Sequence, residues 1–220
     1  MKFKLILISV ITMFATFAQS QAVEFREFEH YREIPTRFET SDINSDTVVV
    51  TEMFSYICNH CYTFERDLED WLPKQDHRVK FVREHVIFSV TSLSLAKAFY
   101  AAEELGVTEK IHIPMFTAIH VNGLRMNQLD LLVRLFEGRG ETSATDFRTA
   151  YNSFNVENRV RRSDALVRGW RIDSTPTMVV DGRYIAGGTH TRTNRQILDV
   201  VDFLVEKVLE DRRSQRNTGS

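Results

Sequence analysis

One segment of this 220-residue chain restricts its fold more than any other, because it predicts a β-α-β unit. The run "DTVVVTEMFSY" (46–56) is apolar and β-branched, as in a strand buried on both faces, and "RVKFVREHVIF" (78–88) alternates apolar and charged residues. Between these runs, apolar residues recur at helical spacing until Pro73 ends the pattern. A strand, a helix and a second strand in this order predict two parallel strands joined by the helix.

The rest of the chain divides into a helical stretch and a second β-rich part. Residues 91–170 show five segments of helical periodicity, several of them opened by a hydroxyl side chain or closed by glycine. Strand patterns return in "PTMVVDGRYIAGG", where Asp181 and Gly182 are typical of a hairpin turn, and an amphipathic helical pattern follows. The sequence therefore predicts a first β-rich part over 23–90, a helical insertion over 91–170, a second β-rich part over 171–212 and a polar tail over 213–220.

The N-terminus has the three-part pattern of a secretory signal. A basic start, "MKFK", precedes an uncharged apolar run of about 14 residues and the small-residue site "SQA". This run is shorter than the ~20 residues that a membrane-spanning helix needs, so we predict a cleaved signal peptide over 1–22 rather than a membrane anchor. The protein would then reach a compartment in which disulfides persist. The net charge of −2 gives no indication of a nucleic-acid partner.

The chain contains two cysteines, Cys58 and Cys61, in the stretch "SYICNHCYTF" between the first predicted strand and the helix. A structural disulfide over so short a loop would stabilise the fold little, because the gain grows with loop length. A closed zinc or copper site needs more ligands, and the sequence offers no second cysteine pair, although a distant histidine could complete a site. A redox dithiol fits best, since a Cys-X-X-Cys pair near a β-α-β unit is typical of thioredoxin-like proteins.

The spacing also suggests different roles for the two thiols. Cys58 comes just before the helix, where unpaired N–H groups and the positive end of the helix dipole stabilise a thiolate. Cys61 follows one turn later on the apolar face, so we expect Cys58 to be the attacking nucleophile and Cys61 the buried resolving thiol. His60 is either a solvated surface histidine or a donor to the thiolate, which would favour the reduced form and make the disulfide more oxidising.

The segment "EMFSYICNHCYTFE" resembles the active-site segment of the DsbA family of periplasmic thiol:disulfide oxidoreductases, and "STPTMVVDG" resembles the loop before that family's hairpin. The resemblance covers essentially the whole chain after the predicted signal peptide. It implies an α/β protein, namely a thioredoxin fold with an inserted all-helical domain. It also implies a periplasmic protein dithiol oxidase that donates a Cys58–Cys61 disulfide to reduced exported polypeptides, without a cofactor or metal.

The same resemblance implies further site residues. Pro176 would form a cis peptide bond with Thr175 and face the disulfide, and this pair would offer a backbone edge to the substrate chain. Glu52, inside an apolar strand, is either an edge residue in water or the family's buried acid, which relays a proton near Cys61. Arg83, on the neighbouring predicted strand, could pair with Glu52.

Two features depart from the family pattern. Asn59 follows the first cysteine where the family norm is proline, so the reduction potential could move in either direction. The loop "IAGGTHTRTN" differs from the loop that borders the partner groove in better-known relatives, where a quinone-linked membrane oxidase of the DsbB type would reoxidise the pair. The alternatives are a disulfide isomerase or reductase of the same fold and, in another class, a periplasmic metal-binding or delivery protein. The sequence shows no added dimerisation segment, so we expect a monomer.

Overall fold

The computed structural model describes residues 25–35, 45–188 and 193–218. The predicted signal peptide (1–22) lies outside the described residues, as do residues 189–192 of the predicted partner loop. Among the helices that are described, none is long and apolar enough to cross a membrane.

The described chain forms one mixed sheet and seven α-helices. The strands are β1 (Tyr31–Glu33), β2 (Val48–Phe54), β3 (Val79–His85), β4 (Thr177–Val180) and β5 (Tyr184–Gly187). The helices are α1 (Asn59–Trp71), α2 (Val90–Glu104), α3 (Thr108–His120), α4 (Leu129–Arg139), α5 (Ala144–Tyr151), α6 (Phe154–Gly169) and α7 (Asn194–Thr218).

The strand order is β1-β5-β4-β2-β3, with β3 and β1 at the two edges. β2 and β3 are parallel and joined by α1, which confirms the predicted β-α-β unit. β4 runs antiparallel to both β2 and β5, so the predicted hairpin is attached at the centre of the sheet. β1, which the sequence analysis did not predict, pairs antiparallel with β5.

The hairpin turn has the chemistry that its sequence predicts. Asp181 and Gly182 both have positive φ, 55° and 62°, a conformation that aspartate and glycine adopt more readily than most other residues. The N–H of Arg183 donates to the carbonyl of Val180 at 3.0 Å across this turn. The prediction of a hairpin at these residues is confirmed.

Both faces of the sheet are covered, which explains the continuous apolar run in β2. Val50 and Met53 are fully buried and point to opposite faces. Val50 lies in a core with Phe64 of α1 and Leu204 of α7. Met53 lies in a separate core with Trp170, at the end of α6.

Helices α2 to α6 form the predicted insertion between β3 and β4. Their apolar faces share one core that is rich in buried phenylalanines. The same core contains Phe54, Tyr56 and Cys61, which lie at the junction of β2 and α1. The insertion therefore packs directly beneath the segment that carries the cysteines.

Helix α7 continues through the residues predicted as a polar tail and ends at Thr218. Arg212, which is 3% exposed, explains this extension. Its guanidinium donates to Asp181 Oδ1 at 2.7 Å and to the carbonyl oxygens of Ser45 and Thr47 at 2.8 and 3.1 Å. These contacts join the last helix to the start of β2 and to the hairpin turn.

Replacing Arg212 by methionine removes this charge, keeps most of the apolar stem and leaves the buried carboxylate of Asp181 without this partner. We expect the free energy of unfolding to fall by about 3–5 kcal/mol, because removing one partner from a buried ion pair is strongly destabilising. Urea unfolding followed by circular dichroism would measure the change. Arg213→Met is the matched control, because that side chain is 57% exposed and should alter stability by less than about 0.5 kcal/mol. Equal effects of the two substitutions would contradict the anchoring role.

Candidate active site

Cys58 is the N-cap residue of α1. Its backbone is extended (φ −85°, ψ 113°), and its Sγ accepts a hydrogen bond from the N–H of Cys61 at 3.2 Å. The sulfur thus takes the place of the serine or aspartate oxygen of an ordinary helix cap. The N–H of Cys58 donates to the carbonyl of Ser55 at 2.9 Å, which closes the turn between β2 and α1.

The two thiols differ in burial and in charge. Both are reduced; Cys58 is half-buried and Cys61 is fully buried. A hydrogen bond from the Cys61 thiol, with others from the Thr175 side chain and from the N–H groups of Cys61 and His60, lowers the pKa of Cys58 to about 5 against the effect of burial. Burial, and then the hydrogen bond to Cys58, raises the pKa of Cys61 far above its usual range. At neutral pH the pair therefore holds a thiolate on Cys58 and a proton on Cys61.

The loop before β4 brings backbone atoms against the Cys58 sulfur. The Thr175–Pro176 peptide bond is cis, as predicted, and the Cys58 thiol, when protonated, donates to Thr175 O at 3.3 Å. Gly187, at the end of β5, supports this loop from behind with a φ of 108°. A Cβ at this position would lie 3.0 Å from the Pro176 carbonyl oxygen, so glycine permits the close approach.

An ion network is buried behind the cysteines. Glu52 and Arg83 are register partners in β2 and β3, and Arg83 Nε donates to Glu52 Oε2 at 3.0 Å. Nη2 of the same guanidinium donates to Glu65 Oε2 of α1 at 2.9 Å. Glu52 is fully buried and Glu65 is 8% exposed, so one cation serves two carboxylates. The predicted pairing of Glu52 with Arg83 is confirmed, and the alternative that Glu52 lies in water at a sheet edge is wrong.

Glu52 holds a proton at neutral pH. Burial, followed by the nearby charge of Glu65, raises the pKa of Glu52 to about 8, although Arg83 opposes this shift. Its second oxygen, Oε1, is buried and has no hydrogen-bond partner in the described part of the chain. An oxygen without a partner is less costly to bury on a neutral acid than on a carboxylate. Since an ionised Glu52 would raise the pKa of Cys61, the two groups are electrostatically linked.

The helical insertion holds Glu65 from its other side. His112 of α3 has Nε2 2.9 Å from Glu65 Oε1 and Nδ1 3.0 Å from the Tyr56 hydroxyl. Burial by itself would raise the pKa of Glu65, but the hydrogen bond from His112, with the hydrogen bond and charge of Arg83, outweighs burial and lowers it. Burial lowers the pKa of His112, so its imidazole is neutral at pH 7.

Comparison with known proteins identifies the family to which this arrangement belongs. Residues 49–199 match the DSBA-like thioredoxin domain. The thiol:disulfide interchange protein DsbA of Burkholderia cepacia is 38% identical over 163 residues, which cover 73% of this chain and 76% of that relative. The chain belongs to the DSBA-like thioredoxin domain family.

Solved structures of DSBA-like proteins have the same fold. The oxidoreductase DsbA from Xylella fastidiosa aligns with a TM-score of 0.74 at 31% identity, over 81% of this chain and 94% of that one. Pseudomonas aeruginosa DsbA aligns with a TM-score of 0.77 at 26% identity, over 86% and 95%. The predicted thioredoxin fold with a helical insertion is confirmed.

The two residues between the cysteines of this DSBA-like protein face outward. Asn59 and His60 are exposed on the first turn of α1. The backbone N–H of His60 contributes to the low pKa of Cys58, whereas its imidazole makes no hydrogen bond within the described residues. Donation from the His60 imidazole to the thiolate therefore stays a prediction, and Cys61, Thr175 and the helix backbone account for the stabilisation described above.

A metal site was the alternative use of the cysteine pair. Across residues 25–35, 45–188 and 193–218, no group of three or more histidine, cysteine, aspartate or glutamate side chains is placed to hold a metal ion. The Cys58 sulfur instead contacts the Thr175 carbonyl and the N–H of Cys61.

Sequence reasoning gave no role to Glu65, His112 or Tyr56. Glu65 carries a usable signal, because it follows Cys61 by four residues and so shares the buried face of α1, where a carboxylate requires a partner. His112 has no comparable signal, since its partners lie 47 and 56 residues away in the sequence. Such contacts depend on how the insertion packs and not on a local pattern.

The thiolate assignment predicts the pH dependence of stability. Ultraviolet thiolate absorbance of the reduced protein should titrate with a midpoint near pH 5. In the unfolded chain the thiol ionises near pH 9, so the thiolate stabilises the folded reduced protein fully above pH 9, and this stabilisation is lost as pH falls to 5. The oxidised protein has no thiol. The difference in unfolding free energy between reduced and oxidised protein should therefore increase with pH across this window.

Two variants identify the donor to this thiolate. Cys61→Ala removes the largest contribution and should raise the Cys58 midpoint by about one pH unit or more. Cys61→Ser keeps a hydroxyl donor and should raise it less. An unchanged midpoint in both variants would show that Cys61 is not the donor.

Proposed function

We propose that this thiol:disulfide oxidoreductase is a periplasmic dithiol oxidase that passes its Cys58–Cys61 disulfide to reduced exported polypeptides. The observation that carries the proposal is the asymmetry of the thiols, with an ionised Cys58 at a helix terminus and a buried, protonated Cys61. Stabilising the thiolate favours the reduced product, and this makes the corresponding disulfide a strong oxidant. The name thiol:disulfide interchange protein, shared by the relatives, supports the same activity.

The proposed transfer takes two thiol–disulfide exchanges. A client thiolate attacks Cys58 Sγ, the Cys58–Cys61 bond breaks, and its electron pair goes to Cys61. A second client thiolate then attacks the client sulfur of the mixed disulfide, and Cys58 leaves as a thiolate. The low pKa of Cys58 favours this second step, because a less basic thiolate is a better leaving group. The client gains a disulfide and the enzyme pair is reduced by two electrons.

Glu52 is proposed to supply the proton that Cys61 needs. Cys61 is released as a thiolate in a fully buried position, where the charge is unfavourable. Glu52 is neutral near pH 7, so it can give its proton to Cys61 and keep the negative charge beside Arg83. Glu52 then takes up another proton from solvent. When the pair is reoxidised, the ionised form of Glu52 removes the proton of Cys61 and frees that thiol for attack.

The loop ending at Pro176 is proposed to align the client. Thr175 O lies 3.3 Å from the Cys58 sulfur, so a client backbone running beside Thr175 and Pro176 would bring its cysteine to Cys58. His60, exposed on the adjacent turn of α1, would lie at the rim of this contact and donate to the thiolate.

The cycle also needs an electron acceptor. We assign reoxidation to a quinone-linked membrane oxidase of the DsbB type and expect the protein to act as a monomer without a cofactor. The signal pattern at residues 1–22 and the resemblance to a periplasmic family support the location.

The reduction potential distinguishes an oxidase from other proteins of this fold. Against glutathione we expect a value of about −120 mV, whereas about −270 mV would indicate a thioredoxin-like reductase. A reduced, unfolded test protein should be oxidised stoichiometrically. Cys58→Ser should abolish this transfer, and a Cys58→Ser variant that still oxidised the client would contradict the assignment of the nucleophile. When Cys58 of Cys61→Ser is first joined to glutathione as a mixed disulfide, a client with a single thiol should displace the glutathione and remain on Cys58, because no Cys61 thiol is present to release it.

Glu52→Gln keeps the shape of the side chain but cannot exchange a proton. The rate at which Cys61 displaces glutathione from Cys58 should rise as Glu52 ionises, with an inflexion near or just below pH 8, since the mixed disulfide lacks the Cys58 charge that helps to raise this pKa. In Glu52→Gln the inflexion should vanish and the rate at pH 8 should fall by up to about 10²-fold. Stopped-flow kinetics of the mixed disulfide would test this. Glu69→Gln, at an exposed position of α1, should retain the wild-type profile.

A further inference from the structure

A cleft of about 940 Å³ opens between α1 and α3, and Glu65, Arg83 and His112 line its inner wall. Glu52 is fully buried and lies behind the Arg83 guanidinium, to which it is hydrogen-bonded at 3.0 Å. Arg83 and Glu65 therefore separate Glu52 from the cleft and from the water that it admits.

The hydrogen bonds of His112 determine which of its ring nitrogens carries the proton and donates to this wall. The Tyr56 hydroxyl lies 3.0 Å from Nδ1, and Glu65 Oε1 lies 2.9 Å from Nε2. The carboxylate can only accept, so Nε2 carries the proton and donates it, while a neutral ring accepts from Tyr56 at Nδ1. His112 is thus a fixed donor to Glu65.

One positive charge on Arg83 cannot neutralise two carboxylates. Glu65 has His112 as a second donor, with both of its oxygens engaged. Glu52 has Arg83 on Oε2, and within the described residues its Oε1 has no partner. The negative charge is therefore better placed on Glu65, and the proton on Glu52.

We propose that His112 is a positioning residue of the redox centre, which by donating to Glu65 places the negative charge there and leaves on Glu52 the proton that Cys61 receives. This inference rests on the proposed proton transfer between Glu52 and Cys61. No electron transfer is involved: one proton passes from Glu52 to Cys61, and Glu52 regains one from water in the cleft by way of Glu65.

The other charged groups around this pair do not replace His112. Glu52 is influenced by Glu65, Arg83 and Cys58. The groups facing His112 are Glu65, Arg83, Glu109, Tyr56 and His85. Arg83 lowers the pKa of His112 and Glu109 raises it. The contact with Glu65 is therefore the decisive one for His112.

Two substitutions separate the hydrogen bond from the imidazole. His112→Gln places an amide N–H near the position of Nε2 and can still donate to Glu65. His112→Asn is one bond shorter and places its polar atoms near Nδ1, out of reach of Glu65. Neither side chain titrates, so a positioning role predicts that glutamine, but not asparagine, preserves the wild-type behaviour. The measurement is the pH dependence of the rate at which Cys61 displaces glutathione from Cys58.

In His112→Asn, Glu65 loses a donor, takes up a proton more readily and repels the Glu52 carboxylate less. The inflexion assigned to Glu52 should therefore move to lower pH by about one unit or more. It should stay in place in His112→Gln, and also in Tyr56→Phe, which removes only the other hydrogen bond of His112. An inflexion that is unmoved or higher in His112→Asn, or that moves equally in His112→Gln, would overturn the proposal.

Glu65→Gln covers the case in which His112→Asn does not fold. It removes the repelling charge directly and should lower the inflexion at least as far, so an unmoved inflexion in this variant also overturns the proposal. Failure of the proposed function has a different signature. If Glu52→Gln keeps the wild-type pH profile, Glu52 is not the proton carrier and both ideas fall. If Glu52→Gln abolishes the inflexion while His112→Asn and Glu65→Gln leave it in place, the role of His112 alone is refuted.

Discussion

The guanidinium of Arg83 lies between two buried carboxylates, and the charge pattern behind the cysteines depends on how that cation is shared. Burying an isolated ion costs several kcal/mol, so neither Glu52 nor Glu65 could remain ionised there alone. A single cation can compensate the negative charge of one carboxylate but not that of a second one as well. The fold decides between them, because Glu52 lies inside the sheet whereas Glu65 reaches His112 and the cleft.

At the junction of β2 and α1, this charge pattern contributes to the different protonation states of the two thiols. Cys58 caps the helix and receives hydrogen bonds from its first turn, while Cys61, one turn later, enters the core that the insertion supplies. Glu52, in the preceding strand, is electrostatically linked to both sulfurs. Strand, cap and helix therefore bring together, within one β-α-β unit, the groups that the proposed mechanism uses as leaving group, resolving thiol and proton reservoir.

Local patterns in the sequence were enough to predict this unit, the helical insertion and the hairpin, because each has a period or a turn pair that short-range sterics require. They were not enough for β1, whose three residues (Tyr31–Glu33) are too few to show a period. They also failed where a distant partner decides the outcome. In sequence, the end of α7 resembles a polar tail, and only the contact between Arg212 and Asp181 shows otherwise. In the same way, the sequence around His112 is that of an ordinary helix, and its role depends on the packing of α3 against α1.

The helical insertion is itself part of the redox centre, and Tyr56 shows how. Its N–H donates to Nε2 of His85 at 3.1 Å, its hydroxyl bonds to His112 and its carbonyl accepts from Nε2 of His120 at 2.8 Å. Two of these three histidines belong to α3, and Tyr56 precedes Cys58 by only two residues. The turn that presents Cys58 is thus held by the insertion as well as by the sheet. Substitutions in α3 can therefore alter the environment of the disulfide without touching either cysteine.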